Sequence, residues 1–164
     1  GCYTLGVLPP FSAIDSCVCM GASIGAGLGL RHGLAEEDAR KVVSVIGDST
    51  FVHSGITGIV EMVYNKPATG HLVLILYNST TAMTGLQENP ATGRHLNMTD
   101  ASQLNLEAIC KAAGADNVDV IDPTLKHDEF VELVKKRLAS NDASVIIARR
   151  PCILQMKKLS KLKK

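Results

Sequence analysis

The chain has 164 residues, a formal net charge of +1 and 46% hydrophobic residues, but only 4% aromatic ones. This size allows a single domain with an aliphatic core. The near-neutral charge gives no reason to expect nucleic acid as a partner, and no apolar stretch reaches the ~20 residues that span a membrane.

The five cysteines do not have the spacing of a metal site. The only close pair is Cys17-Val18-Cys19, which is not the C-x-x-C pattern of zinc sites. The count is odd, and the first residues lack the basic start and apolar core of a signal peptide. We therefore expect free thiols and a cytoplasmic protein. Because the sequence does not begin with Met, we also expect it to be a fragment of a longer protein.

Helices and strands are predicted to alternate along the chain. Apolar periodicity and capping residues predict helices over Asp15–Leu30, Gly55–Tyr64, Leu106–Ala113 and Lys126–Ala139. Short apolar runs predict strands over Val42–Ile46, His71–Tyr77, Val118–Ile121 and Ser144–Ala148. Strands that are apolar on both faces indicate an α/β fold, a parallel sheet with helices on both faces. We expect one domain over residues 1–150 and, over 151–164, a basic, mobile C-terminal tail.

Polar side chains follow two of the predicted strands directly. Asp48 comes after the first strand and Asn78 after the second, at the edge where ligands bind in parallel sheets. The stretch Asn78–Asn105 follows, with many turn residues and no clear period. Such long loops are usually functional or disordered.

The Gly47-Asp48-Ser49 corner allows several interpretations. In the plainest one, Asp48 only caps a helix or a turn. A second interpretation is a Gly-Asp-Ser type serine hydrolase with Ser49 as nucleophile, which needs an Asp-x-x-His pair to activate the serine. The nearest candidate is Asp122 with His127, whose spacing is wrong.

The glycine-rich stretch "GASIGAGLG" is similar to a dinucleotide-binding turn in its glycine content, but not in spacing or position. The spacing Gly25-x-Gly27-x-x-Leu30 lacks the third glycine, and the motif belongs in the turn after a strand. Here it lies within a helix that precedes the strand, so we interpret these glycines as helix-packing positions.

A metal–diphosphate site is the remaining interpretation. A carboxylate at one strand end and an amide oxygen at the next are hard ligands that suit Mg²⁺. A backbone carbonyl, two phosphate oxygens and a water would complete six ligands, and backbone N–H groups of the two turns would receive the phosphates.

Several segments resemble a known family. Gly-Asp-Ser followed about thirty residues later by Asn is similar to the signature of thiamine-diphosphate enzymes, with Ser49 in place of the usual glycine. The segments "GDSTFVHSGITGIVEMVYN" and "YNSTTAMTGLQENPATG" resemble the large (alpha) subunit of indolepyruvate:ferredoxin oxidoreductase. So do "GCYTLGVLPPF" and "CVCMGASIGAGLG". The resemblance covers nearly the whole chain, Gly1 to about Cys152.

The resemblance implies site residues by position. Asp48 and Asn78 would bind Mg²⁺ through side-chain oxygens, and Thr80 through its backbone carbonyl. The diphosphate would contact the two turns, and the thiazolium or diphosphate would lie near the N-terminal segment. The implied cofactor-binding residues are Cys2, Gly47, Asp48, Ser49, Asn78, Thr80, Met83, Thr84 and Gly85, with Gly1 and the segment 19–21 close by. His53 is a weaker candidate that would touch substrate.

The resemblance also implies an activity and its partners. The family converts aryl 2-oxo acids such as indolepyruvate to aryl-acetyl-CoA, with thiamine diphosphate as cofactor, CoA as substrate and ferredoxin as electron acceptor. A small partner subunit belongs to the full enzyme. The activating Glu of the aminopyrimidine and the iron–sulfur clusters are expected in regions outside this chain. The chain alone is therefore expected to be inactive, and a homodimer formed through the Gly-rich helix and the "LQENPATG" loop is expected.

Overall fold

The computed structural model describes the backbone of residues 2–162 and the side chains of residues 3–157. A 3₁₀ segment (Cys2–Val7) begins the chain and is followed by an irregular stretch. The helices are α1 (Ser23–Gly33), α2 (Glu36–Ala39), α3 (Asp48–Thr50), α4 (Ile56–Tyr64), α5 (Leu106–Ala112), α6 (His127–Ala139) and α7 (Ile153–Leu162). The strands are β1 (Val43–Gly47), β2 (His71–Tyr77), β3 (Asn117–Ile121) and β4 (Ala143–Arg149). Within the described part of the chain, no helix is long and apolar enough to cross a membrane.

The four strands form one parallel sheet in the order β1-β2-β4-β3. This confirms the predicted α/β fold class. Helices α1, α4 and α5 bury their apolar side chains on one face, in the larger core around Ile59, Val73 and Val145. Helix α6 covers the other face with Phe130, Leu133, Val134 and Leu138. The connection from β2 to β3 runs outward across the sheet, and the connection from β3 to β4 runs back toward β2. Because both crossovers are right-handed, α6 lies on the face opposite to α4 and α5.

Side-chain contacts close the amino ends of β1 and β2. Arg31 is 4% exposed and donates hydrogen bonds to the carbonyls of Thr69 (2.8 Å), Gly70 (2.9 Å) and Val42 (3.0 Å). Burial lowers the pKa of this guanidinium, and Arg40 adds to that shift. The amino edge is thus a packed structural junction, and the loops that could hold a ligand lie at the carboxyl edge.

Three predicted elements differ from the structure. The first helix begins at Ser23 and not at Asp15, because Gly21 adopts a left-handed backbone (φ 91°) that interrupts it. The second helical segment begins at Asp48, immediately after β1, where α3, a π-helical turn (Phe51–Gly55) and α4 follow without a break.

The third difference concerns the basic C-terminal segment. The sequence predicts a mobile tail there, whereas the structure forms α7, with Gln155 only 3% exposed. An amphipathic pattern of Ile153, Leu154 and Met156 among the lysines allows the helix, although these three apolar side chains remain exposed. The segment is therefore helical as far as Leu162.

Candidate functional site

Asp48 occupies the junction between β1 and the helix that follows it. The residue is 2% exposed. Its Oδ1 accepts a hydrogen bond from the N–H of Ser49 and its Oδ2 one from the N–H of Ser79, each at 2.9 Å. The carboxylate therefore bridges the turn after β1 and the turn after β2. A negative charge at the beginning of a helix also interacts favourably with the helix dipole.

Burial makes the charge on Asp48 expensive. Desolvation raises the pKa of this carboxyl to about 6, although the N–H groups of Ser49 and Ser79 lower it in part. A cation beside this carboxylate would offset the cost of burying its charge. The donor set at this corner therefore fits a divalent cation.

The turn after β2 has an unusual backbone. Ser79 has φ 61°, in the left-handed region that non-glycine residues adopt at a cost. This conformation directs its N–H to Asp48. The Oδ1 of Asn78 accepts the N–H of Thr80 at 3.1 Å, and Thr80 is 1% exposed. Asn78 and Thr80 thus lie in the turn that contacts Asp48.

A short hairpin continues from this turn. Thr81 and Gln87 form an antiparallel bridge, and Gly85 has φ 125° at the tip. The Oγ1 of Thr84 donates to Oε1 of Gln87, whose Nε2 donates to the Thr84 carbonyl, each at 2.6 Å. The Oγ1 of Thr81 donates to Oγ of Ser49 at 2.8 Å. The hairpin that carries Met83, Thr84 and Gly85 is therefore attached at its base to the corner of Asp48.

The N-terminal segment reaches the same edge of the sheet. The hydroxyl of Tyr3 donates to the carbonyl of Leu76 at 3.4 Å, and a Cβ on Gly47 would lie 3.4 Å from the Tyr3 ring. Cys2 belongs to the 3₁₀ segment, but its side chain, like all of Gly1, lies outside the described residues.

The segment 19–21 lies against the π-helical turn Phe51–Gly55. A Cβ on Gly21 would lie 2.3 Å from the Ser54 hydroxyl oxygen, so only glycine allows this approach. Cys19 is exposed, and so is His53 in the π-helical turn next to Ser54. π-Helical turns are frequent at functional sites.

The serine hydrolase interpretation is not supported. Ser49 follows β1 and Asp122 follows β3, which are the two outer strands of the described sheet. Three strand spacings of ~4.8 Å separate them, on the order of 14 Å. Asp122 is already occupied, since it accepts from the N–H of Thr124 at 2.9 Å and from Arg150 at 2.9 Å.

The glycines of α1 do not form a dinucleotide turn. They lie within a helix that precedes β1, as the sequence predicts. Gly27 packs closely, because a Cβ there would lie 2.2 Å from the Ser44 hydroxyl oxygen. At Gly25, Gly29 and Gly33 a Cβ would meet nothing within 4 Å. The interpretation of these glycines as helix-packing positions is therefore wrong for Gly25 and Gly29.

Protein side chains alone would not complete a metal site here. Among the described residues, no group of three or more His, Cys, Asp or Glu side chains is placed to hold a metal ion. A cation at Asp48 would depend on amide and carbonyl oxygens and on oxygens that a ligand brings. In the site expected from the sequence, phosphate oxygens supply part of the coordination.

Three contacts of this site were not predicted from the sequence. They are the N–H of Ser79 on Asp48, the hydroxyl of Thr81 on Ser49, and the side chain of Gln87 across the hairpin. Turn residues after Asn78 indicate a loop, but no pattern indicates which of its groups turn back toward β1.

The chain is similar to a known family and to curated proteins. Residues 1–148 match the family described as thiamine pyrophosphate enzyme, C-terminal TPP binding domain. The chain is 42% identical over 164 residues to the indolepyruvate oxidoreductase subunit IorA of Thermococcus kodakarensis, covering 94% of this chain and 25% of that protein. It is 38% identical over 154 residues to the IorA subunit of Archaeoglobus fulgidus, covering 94% of this chain and 24% of that one. The chain thus spans about a quarter of the length of these relatives.

A solved structure has the same fold. It is an X-ray structure described as that of a candidate thiamin diphosphate-dependent enzyme from Mycobacterium smegmatis. The TM-score is 0.55 at 19% sequence identity, and the match covers 82% of this chain and 22% of that chain. At this identity the likeness concerns the fold alone.

Proposed function

The chain belongs to the thiamine pyrophosphate enzyme family as a C-terminal TPP-binding domain, and on that premise we propose that its Asp48 corner binds Mg²⁺ and the cofactor's diphosphate. The observation that carries this proposal is the buried carboxylate of Asp48, which bridges two turns and has only N–H partners among the hydrogen bonds described. In this proposal Asp48, Asn78 and Thr80 hold the metal ion.

The diphosphate would lie against the beginning of the helix that starts at Asp48. Backbone N–H groups at a helix N-terminus and in adjacent turns bind phosphate oxygens well. Gly47, Ser49 and the hairpin tip Met83-Thr84-Gly85 would supply these contacts, and Cys2 would lie near the thiazolium. Thiamine diphosphate, when bound, supplies the carbanion and electron-sink chemistry of 2-oxo acid conversion. The protein residues named here bind and orient the cofactor.

We further propose that the full-length protein oxidises aryl 2-oxo acids such as indolepyruvate. The support is the name of the relatives, indolepyruvate oxidoreductase subunit IorA. CoA as substrate, ferredoxin as electron acceptor, a small partner subunit and a homodimer are parts of the same proposal. So are iron–sulfur clusters and an activating Glu in the parts of such a protein that this chain does not span. The TPP-binding unit comprises residues 1–150, and the role of His53 is contact with substrate.

Isothermal titration calorimetry of this chain with thiamine diphosphate tests the cofactor site. We expect heat of binding with Mg²⁺ present and none with a chelator. Binding that is independent of Mg²⁺ would overturn the proposed role of Asp48, Asn78 and Thr80. A turnover assay with indolepyruvate, CoA and a viologen acceptor tests the expectation that this chain is inactive alone. Product above the blank would overturn that expectation.

A further inference from the structure

The C-terminal segment extends the sheet past the end of β4, along the turn that carries Asn78. The N–H of Arg150 donates to the Tyr77 carbonyl at 3.0 Å, and the N–H of Cys152 donates to the Asn78 carbonyl at 2.9 Å. The backbone of the proposed metal-binding Asn78 is therefore held from the C-terminal side. Helix α7 begins at the next residue.

Helix α7 makes a buried polar contact with the long loop. Gln155 is 3% exposed, and its Nε2 donates to Oε1 of Glu88 at 3.2 Å. The Glu88 side chain is itself only 3% exposed, and its Oε2 lies 3.4 Å from Nε of Arg94. Glu88 thus joins α7 to the hairpin on one side and to the later part of the loop on the other.

Glu88 directly follows the hairpin that carries the proposed diphosphate contacts. Its neighbour Gln87 accepts a hydrogen bond at its carbonyl from Oγ1 of Thr80 at 3.2 Å and forms the bridge to Thr81. A displacement of Glu88 would therefore act on the base of the hairpin and on Thr80 through the Gln87 carbonyl. Both are parts of the proposed cofactor site.

Packing alone does not require a carboxylate at this position. A buried acid that must be desolvated often contributes less to stability than an apolar side chain of similar volume. A directional hydrogen bond to one side chain of α7 does, however, fix a position more narrowly than apolar contact does. Positioning explains the buried Glu88–Gln155 contact better than stability does.

We propose that Glu88 and Gln155 are a positioning pair through which helix α7 fixes residues 79–88 against the Asp48 corner. The proposal rests on the proposed function in one respect, namely that these residues contact the cofactor. Neither side chain touches the cofactor in this proposal. They act through the hairpin and through Thr80.

Hydrogen exchange measured by mass spectrometry tests the pair without any ligand. In the variant Gln155→Glu, two carboxylates face each other. The exchange rate in the peptides covering residues 79–88 should then rise about tenfold, because one hydrogen bond to a charged group is lost. Exchange in β1 and β2 should stay unchanged. Gln155→Ala removes the bond without adding charge and should give a smaller rise in the same peptides, which keeps the test open if the charged variant does not fold.

A swapped pair and a surface variant complete the design. Glu88→Gln combined with Gln155→Glu restores one amide and one carboxylate, and it should return exchange in residues 79–88 toward the wild-type rate. Leu154→Ala, at an exposed position of the same helix, should change nothing in these peptides. Faster exchange confined to α7, or an equal rise throughout the sheet, would each overturn the proposal.

Calorimetry with thiamine diphosphate and Mg²⁺ then separates this proposal from the proposed function. Gln155→Glu should weaken binding about tenfold and the swapped pair should restore it. If the wild-type chain does not bind the cofactor, the proposed function fails for this chain, while the exchange experiment still decides whether α7 positions the hairpin. If binding is unchanged in Gln155→Glu although exchange rises, the pair does not position the cofactor site.

Discussion

The carboxylate of Asp48 and the backbone N–H of Ser79 lie 2.9 Å apart, although 31 positions separate the two residues in the chain. This hydrogen bond joins the turns that follow β1 and β2. It places the proposed ligands Asp48, Asn78 and Thr80 at one corner of the sheet. The first prediction concerns what happens when its charge is removed.

Asp48→Asn should abolish Mg²⁺-dependent binding of thiamine diphosphate, because a neutral amide cannot replace the carboxylate charge on the metal. Ser49→Ala should weaken binding only mildly, since it removes the hydrogen bond from Thr81, which is worth about 1 kcal/mol. Calorimetry of both variants measures the difference. A Ser49→Ala variant that loses all binding while Asp48→Asn keeps it would contradict the proposed site.

The pH dependence of stability should change in Asp48→Asn. Burial raises the pKa of Asp48 from 3.8 to about 6, so the folded state binds more protons than the unfolded state between these values. The free energy of unfolding of the wild type therefore loses up to about 3 kcal/mol from this group as the pH rises through that window. Asp48→Asn should equal the wild type below pH ~4 and be more stable above pH ~6.

Only the difference in unfolding free energy between the wild type and Asp48→Asn isolates the contribution of Asp48. Burial lowers the pKa of His71 to about 3, with Arg31 contributing, so this group makes stability rise with pH over much of the same range. Chemical denaturation of both proteins from pH 4 to pH 7, in the absence of ligand, measures the difference. A constant difference across this range would show that the Asp48 pKa is not raised.

Two glycines of α1 should respond in opposite directions to substitution by alanine. Gly27→Ala places a Cβ 2.2 Å from the Ser44 hydroxyl oxygen and 2.9 Å from the His71 ring, which should destabilise the fold by about 1–3 kcal/mol. Gly25→Ala places it in open space and should stabilise the fold by about 0.5–1 kcal/mol. Thermal unfolding of both variants measures this, and equal effects would contradict the packing described for α1.

Tyr77→Phe should loosen the long loop after β2. The buried hydroxyl of Tyr77 donates to the Ala91 carbonyl at 2.6 Å and accepts from Nε2 of Gln103 at 2.7 Å. Its loss should cost about 1–3 kcal/mol and speed hydrogen exchange in residues 89–104. Tyr64→Phe is the matched control, because Tyr64 is 82% exposed and should show no change. Unchanged exchange in the Tyr77 variant would mean that the hydroxyl does not anchor the loop.

The sheet could be predicted from the sequence because its strands carry their own signal. An uninterrupted apolar run, Leu72–Tyr77, follows Gly70 and His71, and the strand His71–Tyr77 has the predicted bounds. The predicted first helix failed at its start because apolar, small residues continue upstream of Ser23, and only the left-handed Gly21 interrupts them. Local composition does not predict the backbone conformation of a single residue such as Gly21.

The site was predictable only where residue type and strand end coincide. Asp48 and Asn78 follow strands directly, and the structure joins their turns as the parallel sheet requires. Ser79 and Thr81 could not be predicted, because their contacts depend on the register of β1 against β2 and on a left-handed turn. The buried Gln155 was likewise hidden within a segment whose lysines suggest a solvated terminus.

The hydrogen bonds around Asp48 also bear on the order in which such a protein folds and binds its cofactor. Two backbone N–H groups bond to the carboxylate, and the hairpin is anchored to Ser49 through Thr81, so the two turns are joined by contacts between groups of the protein itself. We therefore expect cofactor loading to follow chain folding rather than to drive it. Unloaded chains would then stay folded while thiamine is scarce and would bind the cofactor, without new synthesis, once the vitamin returns.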